Sequence, residues 1–255
     1  MSQQLYSKIT GQGPPVIILH GLLGTSDNWH SIAANLAEHY TVCLLDLRNH
    51  GRSFHSHDFN YELMAQDVMR FMSDNWIQSA SVIGHSMGGK VAMYLALHEP
   101  DLVDRLLVAD IGVKDYPPGH LHIFDALSSV NLNQLTERRQ AQDFLEDRLQ
   151  NKDVVLFLMK NLTRDKEGHY HWKMNLPAII ANYDNIMKGF HEPLSFDKPT
   201  LFVKGSRSEY IKDDDHGGIR SFFPNATFSS IEGAGHWLHA DNPVAFLQIC
   251  LTFLD

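Results

Sequence analysis

The chain has 255 residues, with 21 basic and 30 acidic side chains, and its formal charge of −9 is softened by roughly four protons on its 16 histidines at pH 7. No basic stretch exceeds a pair such as Arg138-Arg139, which argues against a nucleic-acid binder, since such affinity rests on neutralising phosphates. Apolar residues at 44% and charged residues at 20% exclude a disordered chain, and no apolar run approaches the ~18 residues of a membrane span.

In chain order, the first element is Pro14-Pro15-Val16-Ile17-Ile18-Leu19-His20-Gly21, an apolar β-branched run of the kind a strand buried on both faces requires. Helical spacing follows over residues 28–38, with Trp29, Ile32, Ala33, Leu36 and Ala37 on one face. A second buried strand over 40–47 ends in the polar turn Asp46-Leu47-Arg48-Asn49-His50-Gly51-Arg52-Ser53. Then come a helix over 61–74, a strand over 80–84, a small-residue helix over 87–98 closed by Pro100, and a strand over 104–111. Alternation at this spacing predicts βαβ units and a parallel sheet.

From about Gly112 to Pro193 the rhythm breaks into helical patterns (123–129, 135–149, 154–162, 176–187) with no convincing buried strand. It resumes with strands over 199–205 and 226–231 and a terminal helix over 243–253. The expected organisation is therefore an α/β core formed by 1–111 and 194–255, with 112–193 inserted as a helical lid. The N-terminal stretch 1–8 lacks the charged start and apolar middle of a signal peptide. Cys43 and Cys250 lie far apart in apolar surroundings, as reduced core residues do. A soluble, cytoplasmic protein is expected.

Chemistry concentrates in three places. Gly84-His85-Ser86-Met87-Gly88-Gly89 is a G-x-S-x-G between a buried strand and a helix. So tight a turn leaves no room for side chains at 84 and 88, and it projects the Ser86 hydroxyl above the sheet as a candidate nucleophile. His20-Gly21-Leu22-Leu23-Gly24 follows the first strand, and the amides of Leu22 and Met87 are candidate oxyanion donors. Glu232-Gly233-Ala234-Gly235-His236-Trp237-Leu238-His239 follows the last strand. A serine hydroxyl needs a neutral imidazole within reach, and His236 is the candidate base, with His239 its rival. No HExxH pattern or carboxylate cluster accompanies this pair, so no metal is expected. His85, beside the nucleophile, is expected to pack or hydrogen-bond.

The motifs H-G-L-L-G, D-L-R-N-H-G-R-S, G-H-S-M-G-G and G-A-G-H-W stand in that order over nearly the whole chain. The sequence resembles the α/β-hydrolases and closely resembles the YbfF-like bacterial esterases. The resemblance implies a mostly parallel eight-stranded sheet flanked by helices, an inserted helical lid, and hydrolysis of carboxylic esters and some acyl thioesters. The acid departs from the common pattern. Many α/β-hydrolases carry it in a G-x-x-D turn, but here the segment reads Gly205-Ser206-Arg207-Ser208-Glu209, with serine in its place. Glu209 is one candidate. Asp110, at the carboxyl end of the strand after the nucleophile helix, is the other, and the resemblance implies Asp110. Asp46, Asp67 and Asp104 are expected to be solvated, capping or paired.

The expected activity is a serine hydrolase working through an acyl-enzyme on a small-molecule acyl ester or thioester, without metal or organic cofactor and without nucleic-acid or membrane-spanning partners. A cofactor-free lyase or C–C hydrolase would share the same serine, and a silent receptor the same fold. Arg48 and Arg52 would meet an anionic substrate or, more simply, hold loops together. Phe124, Leu127, Phe157, Met159, Trp172, Tyr183 and Phe190 are candidates for an acyl-binding wall, with a minority expected to face the pocket. Lys160, Arg164 and Lys166 are candidates for a basic patch that would receive acyl-CoA, or else plain solvated surface.

Overall fold

The computed structural model describes residues 4–255, so Met1, Ser2 and Gln3 of the N-terminal stretch lie outside the described residues. The apolar segments form strands and the amphipathic ones cover them: β1 (Ser7–Thr10), β2 (Pro15–Leu19), α1 (His30–Leu36), β3 (Thr41–Leu45), α2 (Tyr61–Asp74), β4 (Ala80–His85), α3 (Met87–His98) and β5 (Val103–Ala109). Next come α4 (Leu121–Ser128), α5 (Arg138–Leu149), α6 (Lys152–Met159), β6 (Leu162–Arg164), β7 (Tyr170–Trp172), α7 (Leu176–Ala181) and α8 (Tyr183–Met187). The chain then returns to the core with β8 (Thr200–Gly205), α9 (His216–Phe222), β9 (Ala226–Ile231), α10 (Leu238–Asp241) and α11 (Pro243–Leu254).

Seven strands form the main sheet in the order β1-β3-β2-β4-β5-β8-β9. All neighbouring pairs are parallel except β1 with β3. This is the α/β-hydrolase architecture, with seven strands among the described residues where eight are implied, because only the short antiparallel β1 precedes β2. Alternation along β2 shows why both faces must be covered. Ile17 and Leu19 enter one core with Met64, Val68, Val91 and Leu95 of α2 and α3. Val16 and Ile18 enter the other with Ile32, Leu36, Phe246 and Cys250 of α1 and α11.

The segment between β5 and β8 is largely helical, as its periodicity predicts, but β6 and β7 form a small antiparallel hairpin within it. Each is three residues long with a single buried position, too little for a sequence pattern to register. Buried Lys90 ties this segment to α3, the helix that follows Ser86. Its Nζ donates to the carbonyls of Val113 at 3.3 Å and Lys114 at 2.7 Å on one end, and of Lys188 at 3.0 Å on the other. Burial pushes its ammonium down to about 7.

The polar turn after β3 is structural. Buried Arg48 pairs bidentately with Asp67 at 2.6 and 2.8 Å and also donates to the carbonyls of Asp58 and Leu63. Asp46 is fully buried and accepts from the Ser26 and Arg52 amides, while Arg52 reaches Asp27. Cys43 and Cys250 are free and buried.

Candidate active site

Ser86 closes β4 and opens α3 with φ 52° and ψ −118°, in the left-handed half of φ space that side chains other than glycine rarely adopt. The turn is over-determined by its neighbours. A Cβ at Gly84 would lie 2.3 Å from the Gly88 carbonyl oxygen, and one at Gly88 would lie 2.4 Å from that of Leu19. Only glycine fits at either place. The hydroxyl is thus presented at the carboxyl edge of the sheet, at the N-terminal end of α3, where unpaired amides point outward.

His236 arrives from the loop after β9. Its carbonyl accepts from His85 Nε2 at 2.8 Å, and the Gly235 amide is held by Asp241 at 2.7 Å. The ring stacks on Tyr210 with centroids 4.0 Å apart. His236 Nε2 lies 3.0 Å from Ser86 Oγ, and Nδ1 lies 2.7 Å from Asp110 Oδ2. A carboxylate only accepts, so the proton sits on Nδ1 and Nε2 is free to accept from the serine. Asp110, at the end of β5, is fully buried, and its other partners are the Gly205 amide at 3.2 Å and the Ser208 hydroxyl. From the sequence, Asp110 and Glu209 are both candidates for the acid. The imidazole meets Asp110, whereas Glu209 is exposed and pairs with Lys212 at 3.0 Å.

Leu22 and Met87 flank the serine. Met87 is the first residue of α3, so its amide has no partner within the helix. The peptide carrying the Leu22 N–H is fixed through its own carbonyl: Gly21 O accepts from the Gly24 amide at 2.9 Å and from His20 Nδ1 at 2.8 Å. The Leu47 amide donates to His20 Nε2 at 3.0 Å, which sets that tautomer.

Burial lowers His85 well below its ordinary value, and pushes His239 down to about 3. His239, the rival base, stacks on Trp29 at 4.1 Å instead. Among the described residues no group of three or more His, Cys, Asp or Glu side chains is arranged to hold a metal ion.

Two arms of a cavity meet at Ser86. One, of about 290 Å³, is walled by Trp29, Val154, Phe157, Leu158, His236 and Trp237. The other, of about 390 Å³, is walled by Tyr61, Met87, Ile111, Pro117, Ile186 and Met187. Of the seven aromatic and aliphatic residues singled out for the wall, only Phe157 lines an arm. Phe124, Leu127, Met159 and Tyr183 are core residues, Trp172 packs half-buried against the core, and Phe190 faces a separate groove. Val154, Leu158, Ile186 and Met187 were missed. The i, i+3, i+4 spacing of Val154, Phe157 and Leu158 on α6 is the signal that marks one of these faces. No arginine lines either arm among the described residues, and Lys160 and Lys166 are exposed away from both. Arg164 lies over the Tyr170 ring and donates to the Thr136 carbonyl.

Comparison with known proteins agrees with this architecture. The family model described as alpha/beta hydrolase fold matches residues 14–153. A putative esterase/lipase of Haemophilus influenzae is 40% identical over 249 residues, covering 97% of this chain and 85% of that protein. Esterase YbfF of Escherichia coli is 34% identical over 242 residues, covering 94% and 93%. A solved structure described as a marine microorganism esterase superposes with a TM-score of 0.97 at 42% identity, covering 99% of this chain and 100% of that one.

Proposed function

The chain belongs to the alpha/beta hydrolase family, and from that premise we propose that it is a serine hydrolase of carboxylic esters, acting through an acyl-enzyme formed on Ser86. One observation carries the mechanism: the hydroxyl, the imidazole and the buried carboxylate stand in one hydrogen-bonded line, with steps of 3.0 and 2.7 Å, at the junction of two largely apolar arms. His236 takes the serine proton as Oγ attacks the acyl carbonyl, and Asp110 holds the ring in its Nδ1–H tautomer and stabilises the imidazolium. The Leu22 and Met87 amides receive the oxyanion; such a donor is typically worth about 3–4 kcal/mol of transition-state stabilisation. His236 then protonates the leaving group, and water, activated by the same imidazole, releases the acid.

His236 lines only the smaller arm and Met87 only the larger one. A leaving oxygen that must accept the Nε2 proton belongs in the His236 arm, so the acyl chain occupies the arm beside Met87. Residues 112–193 act as the lid, since α6 walls the arm beside His236 and α8 the arm beside Met87. Acyl thioesters follow the same course with a thiol leaving. The two free buried cysteines suit the reducing cytoplasm, where we place the enzyme. No helix of the described residues is long and apolar enough to cross a membrane.

The decisive experiment is Ser86→Ala. Turnover of p-nitrophenyl acetate and butyrate is expected to disappear while the fold persists, and a fluorophosphonate is expected to label the wild type but not the variant. Ordinary turnover by the variant would overturn the proposal.

A further inference from the structure

The oxyanion loop is strained and is held from outside. Leu23 sits at φ 58°, a left-handed conformation without glycine's freedom, and such a backbone persists only where its surroundings over-determine it. Two side chains from distant parts of the chain do so. His50, from the turn after β3, accepts the Leu23 amide on Nε2 at 3.1 Å and donates Nδ1–H to the Arg48 carbonyl. Burial pushes His50 down to about 3, which favours the neutral ring that accepts on Nε2.

Asn161, from the inserted segment just after α6, donates Nδ2 to the Leu23 carbonyl at 2.8 Å. Asn161 is buried, and its Oδ1 has no protein partner among the described residues. Among the described residues, the Nδ2 contact is the one hydrogen bond that its side chain makes. The peptides on both sides of Leu23 are thus fixed, one by the body of the protein and one by the segment above the cavity. Leu22, whose amide precedes them, is left with no freedom to turn.

We propose that Asn161 and His50 are positioning residues that together clamp the Leu23 peptides and so aim the Leu22 amide at the reacting oxygen, making the seat of the inserted segment a condition for oxyanion stabilisation. This rests on the serine mechanism proposed above. A segment displaced by one hydrogen bond would leave Ser86, His236 and Asp110 untouched, yet lower the rate through the loop. Substrate entry and oxyanion readiness are then coupled through a single asparagine.

The test compares Asn161→Ala, Asn161→Asp, His50→Leu and His50→Gln, with active sites counted by fluorophosphonate titration. Loss of aim is expected to lower kcat per titrated site for p-nitrophenyl butyrate by about ten- to a hundredfold in Asn161→Ala and His50→Leu, with KM within about twofold. A trifluoromethyl ketone, which binds as the oxyanion adduct, is expected to weaken by the same factor. His50→Gln, whose Oε1 reaches the place of Nε2, should recover most of the rate. A residue that merely stabilised the fold would lower Tm and the number of titratable sites without touching kcat per site or the ketone affinity, and that result overturns the clamp. Asn161→Asp keeps the size and removes the donor, so it decides the matter where a larger truncation fails to fold. An active Ser86→Ala would sink the underlying mechanism, whereas an inactive Ser86→Ala beside Asn161 variants of wild-type kcat would sink only the clamp.

Discussion

The Ser208 hydroxyl donates to the Asp110 carboxylate that also meets His236. Ser208 stands in the Gly205-Ser206-Arg207-Ser208 turn, where a G-x-x-D pattern would carry aspartate. β5 and β8 are adjacent and parallel, so their carboxyl ends lie side by side, and a carboxylate on either can face the same imidazole. Here the carboxylate that meets His236 follows β5, and the β8 turn supplies a hydrogen bond to it.

From this follows the first prediction. With His236 Nδ1, the Gly205 amide and Ser208 all directed at it, Asp110 is the proposed acid, while Glu209 is a surface partner of Lys212. Asp110→Asn is expected to lower kcat by about 10³–10⁴, because an amide supports the wrong tautomer. Glu209→Gln should stay within about twofold, and Ser208→Ala should lower kcat by roughly three- to tenfold through loss of one hydrogen bond to the charged carboxylate. Steady-state kinetics on p-nitrophenyl butyrate checks all three, and a Glu209 variant as damaged as Asp110→Asn would reverse the assignment.

What was legible in the sequence was whatever local physics dictates. β2, residues 82–84 of β4 and 106–109 of β5 form apolar runs because both faces are covered there, and the serine turn is written in glycines because any Cβ there strikes a carbonyl. β1 was not legible: of its four residues only Ile9 is apolar, and that side chain is half exposed, so an edge strand left no periodicity. α9 was missed for the opposite reason, since Gly217 and Gly218 weaken its helical signal. The choice between Asp110 and Glu209, and the role of Asn161, depend on which distant segments meet, and no local pattern records that.

The second prediction concerns the nucleophile turn. A methyl group at Gly88 would stand 2.4 Å from the Leu19 carbonyl oxygen and 2.6 Å from that of His20, with rigid backbone on both sides. Gly88→Ala is expected to cost about 3 kcal/mol or more and to abolish activity, because β2 must move away from α3. Gly217→Ala, with nothing within 4 Å of the added methyl, should shift stability by less than about 1 kcal/mol. Urea denaturation of the two variants beside the wild type measures the contrast.

A third prediction comes from the buried histidines. Burial lowers His20 and His85 and pushes His50 and His239 to about 3, against an unfolded value near 6.5. Between those values the unfolded chain binds more protons than the folded one, so stability present above about pH 6.5 is lost as pH falls towards the folded values. Each such histidine steepens the loss by up to about 1.4 kcal/mol per pH unit. The urea midpoint is expected to drop steeply as pH falls from about 6.5 towards 4. His239→Phe, which keeps the stack on Trp29 and removes an unpartnered Nδ1, should flatten that slope by about one proton. An unchanged slope in the variant would show that His239 takes up its proton without unfolding.

The fourth prediction separates the two arms. Met187 lines only the arm beside Met87, and Val154 only the arm beside His236. If the acyl chain lies in the first, Met187→Trp shortens the usable chain. The ratio of kcat/KM for p-nitrophenyl octanoate over acetate is then expected to fall by about tenfold or more, since each buried methylene is worth roughly 0.8 kcal/mol, with acetate turnover nearly unchanged. Val154→Trp should leave that ratio alone and instead discriminate among butyrate esters by the size of the alcohol. The proton decides the direction: only the group that leaves with the Nε2 hydrogen needs to pass His236. The opposite pattern, with Val154→Trp shortening the acyl range and Met187→Trp selecting the alcohol, would exchange the arms and put the leaving group in the arm that His236 does not line.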